Sequence, residues 1–96
     1  MTAVIWSRRA ATDLSEIDGS LHATNQGYAE RVTTAAVRAG QFLSRFPGAG
    51  HAIPGSPLRK WSVQATPYVL LYRVTDKHVR IVRLIHTARD WRRFVD

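Results

Sequence analysis

The apolar residues of this chain change period along its length, and the changes mark its elements. Ala3-Val4-Ile5-Trp6 is short, apolar and partly β-branched, which predicts a strand. Ser7 follows as an N-cap. Behind it Ala10, Leu14, Ile17 and Leu21 recur at spacings of 4, 3 and 4, the stripe of an amphipathic helix, with Arg8, Arg9, Asp13 and Glu16 off that stripe. Gly19 disfavours a helix interior by roughly 1 kcal/mol relative to alanine, so the end of this helix is expected to be weak.

Thr24-Asn25-Gln26-Gly27 reads as a turn with Asn25 as the next cap. Ala29, Val32, Ala36, Ala39, Leu43 and Phe46 then follow spacings of 3, 4, 3, 4 and 3, widened by Tyr28, Ala35 and Phe42. Small residues in the middle of the stripe permit close approach to a neighbouring element. Pro47-Gly48 stops this second helix, and two helices joined by a short turn form an antiparallel hairpin. Residues 47–57 hold three of the four prolines and three of the six glycines and read as a loop.

The remainder reads as strands. Trp61, Val63 and Ala65 alternate with Lys60, Ser62 and Gln64. Tyr68 to Val74 is nearly unbroken apolar sequence, as a central strand is. Thr75-Asp76-Lys77-His78 reads as a hairpin turn, and Val79 to His86 as its returning strand. Thr87 to Phe94 suits a short final helix. The order β-α-α-β-β-β predicts an α+β fold: an antiparallel sheet with the N-terminal helical hairpin on one face and a short C-terminal helix or tail.

A turn at 75–78 pairs residue i of one strand with 153 − i of the other. One face then carries Tyr68, Leu70, Tyr72, Val74, Val79, Ile81, Arg83 and Ile85. The other carries Val69, Leu71, Arg73, Arg80, Val82, Leu84 and His86. Both are largely apolar and two helices cover only one. The second is expected to meet a partner, more than to be covered by the segment holding Trp91 and Phe94.

Ninety-six residues allow one domain, spanning 1–96. No apolar run reaches the ~18–20 residues of a membrane span. The N-terminus lacks the basic and apolar regions of a signal peptide. The absence of cysteine excludes disulfides, a thiolate zinc site and a thiol nucleophile, and fits the cytoplasm. Charge is uneven. Residues 1–48 hold five basic and four acidic groups, net +1, while residues 49–96 hold nine and three, net +6. Of the fourteen basic residues twelve are arginine, the side chain suited to bidentate contact with phosphate or carboxylate. The balance of +7 favours acidic or polyanionic partners.

His22, His51, His78 and His86 stand at no metal-ligand spacing, so neither metal nor cofactor is expected. Ser7 and Ser62 lack a nucleophile-elbow context, and the glycines of 47–57 match no phosphate-binding loop. Asp76 lies in a turn and Asp90 among arginines, which argues against paired catalytic carboxylates. One cluster remains: Arg73, Arg80, Arg83, His86, Arg89, Arg92 and Arg93, with Trp91. Arginines beside a histidine that titrates near neutrality suit a metal-free ribonuclease, stabilising phosphate and moving a proton. They equally suit neutralisation of an acidic protein partner.

Four segments together resemble the RelE/ParE superfamily, the toxins of bacterial type II toxin–antitoxin modules. They are Val4-Ile5-Trp6-Ser7-Arg8-Arg9-Ala10-Ala11-Thr12-Asp13-Leu14-Ser15-Glu16-Ile17, Phe46-Pro47-Gly48-Ala49-Gly50, Pro67-Tyr68-Val69-Leu70-Leu71-Tyr72-Arg73-Val74, and the run from Val79 to Trp91. The resemblance covers nearly the whole chain. It implies an antiparallel sheet with a helical hairpin, and a cognate antitoxin whose C-terminal segment wraps the toxin. Val69, Leu71, Arg80, Val82 and Leu84 are the residues expected to meet that antitoxin.

The superfamily has two branches. The RelE branch cuts messenger RNA on the ribosome; the ParE branch poisons DNA gyrase. RelE-like nucleases usually carry an arginine directly after the tyrosine that opens the third strand, where this chain has Val69, and they tend to keep a C-terminal tyrosine, where no tyrosine follows Tyr72. His86 and Arg89 match polar positions of some nucleases. The Arg83-Leu84-Ile85-His86-Thr87-Ala88-Arg89-Asp90 pattern looks more like ParE. The resemblance thus implies gyrase as target, with Arg83, His86, Arg89, Trp91, Arg92 and Arg93 as the contacting residues. A ribosome-dependent nuclease using Arg73, Arg80, His86 and Arg89 on messenger RNA is the alternative.

Overall fold

The computed structural model describes residues 2–88 and Arg93. Of the expected C-terminal helix, Thr87 to Phe94, residues 89–92 and Phe94 lie outside the described residues. Strand β1 (Ala3–Trp6) ends at Ser7, which caps helix α1 (Arg8–His22) by accepting the Ala10 N–H on its hydroxyl at 3.0 Å. Asn25 caps α2 (Gln26–Arg45) in the same way through Tyr28 N–H at 2.9 Å. Both helices are amphipathic and pack as a hairpin. Phe46 closes α2 instead of continuing its buried stripe: it is 55% exposed and lies against Phe42. No described helix is long and apolar enough to cross a membrane.

The proline- and glycine-rich loop contains a two-residue strand, β2 (His51–Ala52), before β3 (Arg59–Ser62), β4 (Tyr68–Val74) and β5 (His78–His86). The five strands form one sheet in the order β1-β5-β4-β3-β2. β2 to β5 are an antiparallel meander, as their short connections require. β1 joins β5 in parallel, with Trp6 opposite Ile81, because the helical hairpin carries the chain over the sheet before it returns. The sheet is therefore mixed.

The β4–β5 register departs from the expected one halfway along. From the turn to Tyr72↔Ile81 the pairing follows the expected sum, but Leu71 pairs with Arg83, leaving Val82 as an extra residue. This bulge inverts which side chains face the helices. Leu84 enters the main core with Leu70, Tyr72, Val79 and Ile81 under α1 and α2. Ile85 joins Val69 and Leu71 on the far face. The helix side supports the bulge: Ser7 donates from its backbone to the Ile81 carbonyl at 2.9 Å and from its hydroxyl to the Val82 carbonyl at 2.9 Å.

The far face is not an open apolar surface. Ile53 and Leu58 fold over Val69, Leu71 and Ile85 and make a second, smaller core, with Val82 at its side. The loop does what the sequence pattern left to a partner or to the C-terminal segment. Its two hydrophobic residues sit among prolines and glycines, where no periodicity announces them.

Candidate functional site

Three regions hold the residues that chemistry or binding would use. The first is the end of β5. Asp13, off the predicted stripe, is buried at 5% exposure and lies three residues from Ala10 and four from Ile17, on the inward side of α1. Its carboxylate accepts two hydrogen bonds from the Arg83 guanidinium, at 2.7 and 3.1 Å, and one from the Leu84 N–H at 3.1 Å. Arg9 approaches the same carboxylate at 3.6 Å. Arg83 is thus engaged in holding β5 to α1. At the strand end the His86 ring meets the edge of Tyr68, centroids 5.3 Å apart. Its Nδ1 accepts the Ala88 N–H at 3.0 Å, which places the proton of the neutral ring on Nε2. Burial raises the Tyr68 pKa, with the nearby Tyr28 adding to it.

The second region is the far face near the β4–β5 turn. Arg73 and Arg80 stand directly opposite each other and both are exposed. Neither has an ion-pair partner among the described residues. Alternation from Tyr72 and Ile81, which face the helices, puts both arginines on the side away from them. Arg73 and Arg80 are therefore together, but His86 is not with them. It pairs with Tyr68 on the helix-facing side, six residues and about 20 Å along β5 from Arg80. Of the expected antitoxin contacts, Val69, Leu71 and Leu84 are buried within the chain, Val82 is half-buried and Arg80 is exposed.

The third region carried no expectation. A groove of about 900 Å³ runs between α2 and β3 and reaches the β3–β4 turn. Phe42 and Trp61 stack along it with centroids 5.2 Å apart and planes within 15°. Ala35 and Ala39 keep its wall shallow, and Arg31 and Arg38 stand on its rim with Glu30. Ala65, in the left-handed region at φ 63°, shapes its far lip. The signal was present in the sequence: Phe42 widened the α2 stripe and Trp61 began the β3 alternation, but the two are nineteen positions apart and only the fold joins them. Among the described residues no three His, Asp or Glu side chains gather as a metal site.

With this geometry in hand, comparison with known proteins places the chain. Residues 4–91 match the family model described as ParE toxin of type II toxin-antitoxin system, parDE. Toxin RelE2 of Caulobacter vibrioides is 34% identical over 89 residues, covering 93% of this chain and 99% of that protein. A chain of the chromosomal ParDE system from P. aeruginosa superposes with a TM-score of 0.79 at 24% identity, over 90% of this chain and 96% of that one. A chain of the toxin–antitoxin complex RelBE2 from Mycobacterium tuberculosis gives 0.63 at 23% identity, over 88% and 96%. The fold and these matches define a type II toxin of the RelE/ParE superfamily. Within it, the chain belongs to the ParE toxin family.

Proposed function

We propose that this protein is a ParE-like toxin that acts on DNA gyrase in the cytoplasm, halts replication, and is silenced by a cognate antitoxin. The observation that carries the choice of target is the separation of the nuclease candidates. Arg73 and Arg80 lie on the far face, whereas His86 lies on the helix-facing side at the other end of β5. Proton transfer at a scissile phosphate needs its groups within hydrogen-bond reach of one atom, and these are not. Val69, where the nuclease branch keeps an arginine, is buried under Ile53 and Leu58 and binds no phosphate.

In this reading the target is met by the end of β5 and the segment beyond it, through His86, Arg89, Trp91, Arg92 and Arg93. Arg83 contributes by fixing that strand end through Asp13. A second reading, messenger cleavage on the ribosome, is favoured by the relative named Toxin RelE2. Pulse-labelling after induced expression separates them. Thymidine incorporation falling before amino-acid incorporation supports gyrase, and the reverse order supports the ribosome.

A further inference from the structure

We propose that the far face of the sheet is a contact surface for the phosphate backbone of duplex DNA, centred on Arg73 and Arg80. The inference goes beyond the toxin reading and does not depend on which target the toxin strikes. Charge is sorted within this fold. Among the described residues no Asp or Glu lies in a strand; Asp13, Glu16 and Asp18 belong to α1 and Glu30 to α2. The strands carry Arg59, Lys60, Arg73, Arg80 and Arg83. Arg59 donates to the Gly50 carbonyl at 2.8 Å and Arg83 to the Asp13 carboxylate, so both serve the fold. Arg73 and Arg80 are exposed, stand opposite each other and make no ion pair among the described residues. Lys60 follows on the same face, in register with Leu71.

Like charges directly opposite on paired strands destabilise the pair, and an anion between them relieves the repulsion. The Cα atoms of opposed residues stand about 4.5–5.5 Å apart, so both guanidinium groups can reach one anion. Phosphate suits their planar, bidentate donors. Carboxylates do too, but a protein partner is held by apolar anchors among its charges. Ile53 and Leu58 already cover the apolar residues of this face. Among the described residues Ile5, on the edge strand β1 beside Arg80, is the one large apolar side chain it leaves exposed. The face also selects the kind of nucleic acid. Single strands are held by stacking their bases on aromatic rings. Trp6, Trp61, Tyr68 and Tyr72, the Trp and Tyr residues of the strands, all pack on the helix side. A face with cations and no such rings meets a backbone and leaves the bases stacked in their duplex.

The test titrates the full chain against a short labelled DNA duplex of unrelated sequence, by fluorescence anisotropy over a series of salt concentrations. Each phosphate contact contributes a slope of about −0.9 to log affinity against log salt. Arg73→Gln with Arg80→Gln is therefore expected to flatten the slope by about 2 and to weaken binding at least tenfold at low salt. The control pair Arg31→Gln with Arg38→Gln removes the same charge from α2 and should stay within threefold. The unmodified chain gives a second readout: the Nε–H resonances of Arg73 and Arg80 are expected to shift on adding duplex, and those of Arg31 and Arg38 to stay. Equal losses from the two pairs overturn the inference, since net charge alone would then account for binding. A duplex that does not bind at low salt overturns it as well. So does single-stranded RNA of the same length held more tightly than the duplex through the same two arginines, which would give the face to the messenger. Variants that keep duplex binding and lose the antitoxin would give it to the antitoxin instead.

Discussion

The Asp13 carboxylate and the Arg83 guanidinium, seventy residues apart in sequence, meet in two hydrogen bonds between the first helix and the last strand. Arg83 is also the residue paired with Leu71 after the bulge, so the ion pair sits where β5 changes face. Removing one partner strands a charge in a place water barely reaches. Asp13→Ala is expected to destabilise the fold by about 3 kcal/mol in urea unfolding, and Asp13→Leu with Arg83→Met to recover most of that loss. A double variant no more stable than the single one would show that the pair does not couple.

Tyr72 ties the loop after α2 to the sheet. Its hydroxyl donates to the Pro47 carbonyl at 2.7 Å and accepts the Gly50 N–H at 2.9 Å. Tyr72→Phe leaves that N–H buried and unpaired and is expected to cost about 1–3 kcal/mol. Gly50→Ala is expected to cost more. Its Cβ would stand 2.6 Å from the Tyr72 oxygen and 2.9 Å from the Lys60 carbonyl, which is backbone and cannot swing aside.

The same tyrosine sets an alkaline limit. Burial raises the Tyr72 pKa above 10.0, outweighing the lowering by the Gly50 hydrogen bond and by Arg59, and Tyr68 is raised too. Above pH 10 the unfolded chain loses these protons while the folded chain keeps them. The stability they contribute is therefore full below pH 10.0 and falls as pH climbs through the folded values. Denaturation midpoints should drop on that limb, and Tyr72→Phe should flatten the drop.

Gly19 lies inside α1 with nothing within 4 Å of the place a Cβ would take. Gly19→Ala is expected to raise stability by about 0.5–1 kcal/mol, read from the urea midpoint, with antitoxin binding unchanged.

What the sequence disclosed follows from what a local pattern records. Ser7 and Asn25 were legible as caps because capping is decided within three residues. The turn at 75–78 was legible, and with it the pairing as far as Tyr72 and Ile81. Beyond that point the register depends on Ser7 and Asp13, which accommodate the bulge from another element, so no count along β5 finds it. Leu84 and Ile85 exchanged faces for that reason. Polarity alone puts Asp13 off the apolar stripe, yet its position three residues from Ala10 turns it inward, where it is buried. The groove was invisible because Phe42 and Trp61 belong to different elements. Arg73 and Arg80 were expected side by side, and they are.

Purified components distinguish gyrase from the ribosome as the target. The chain is added to DNA gyrase with relaxed plasmid and, separately, to a translating extract with a defined message. Supercoiling is expected to be lost at stoichiometric toxin and restored by the antitoxin, with the message left intact. Position-specific cleavage of ribosome-bound message, abolished by His86→Ala or Arg89→Ala, with supercoiling untouched, would contradict it.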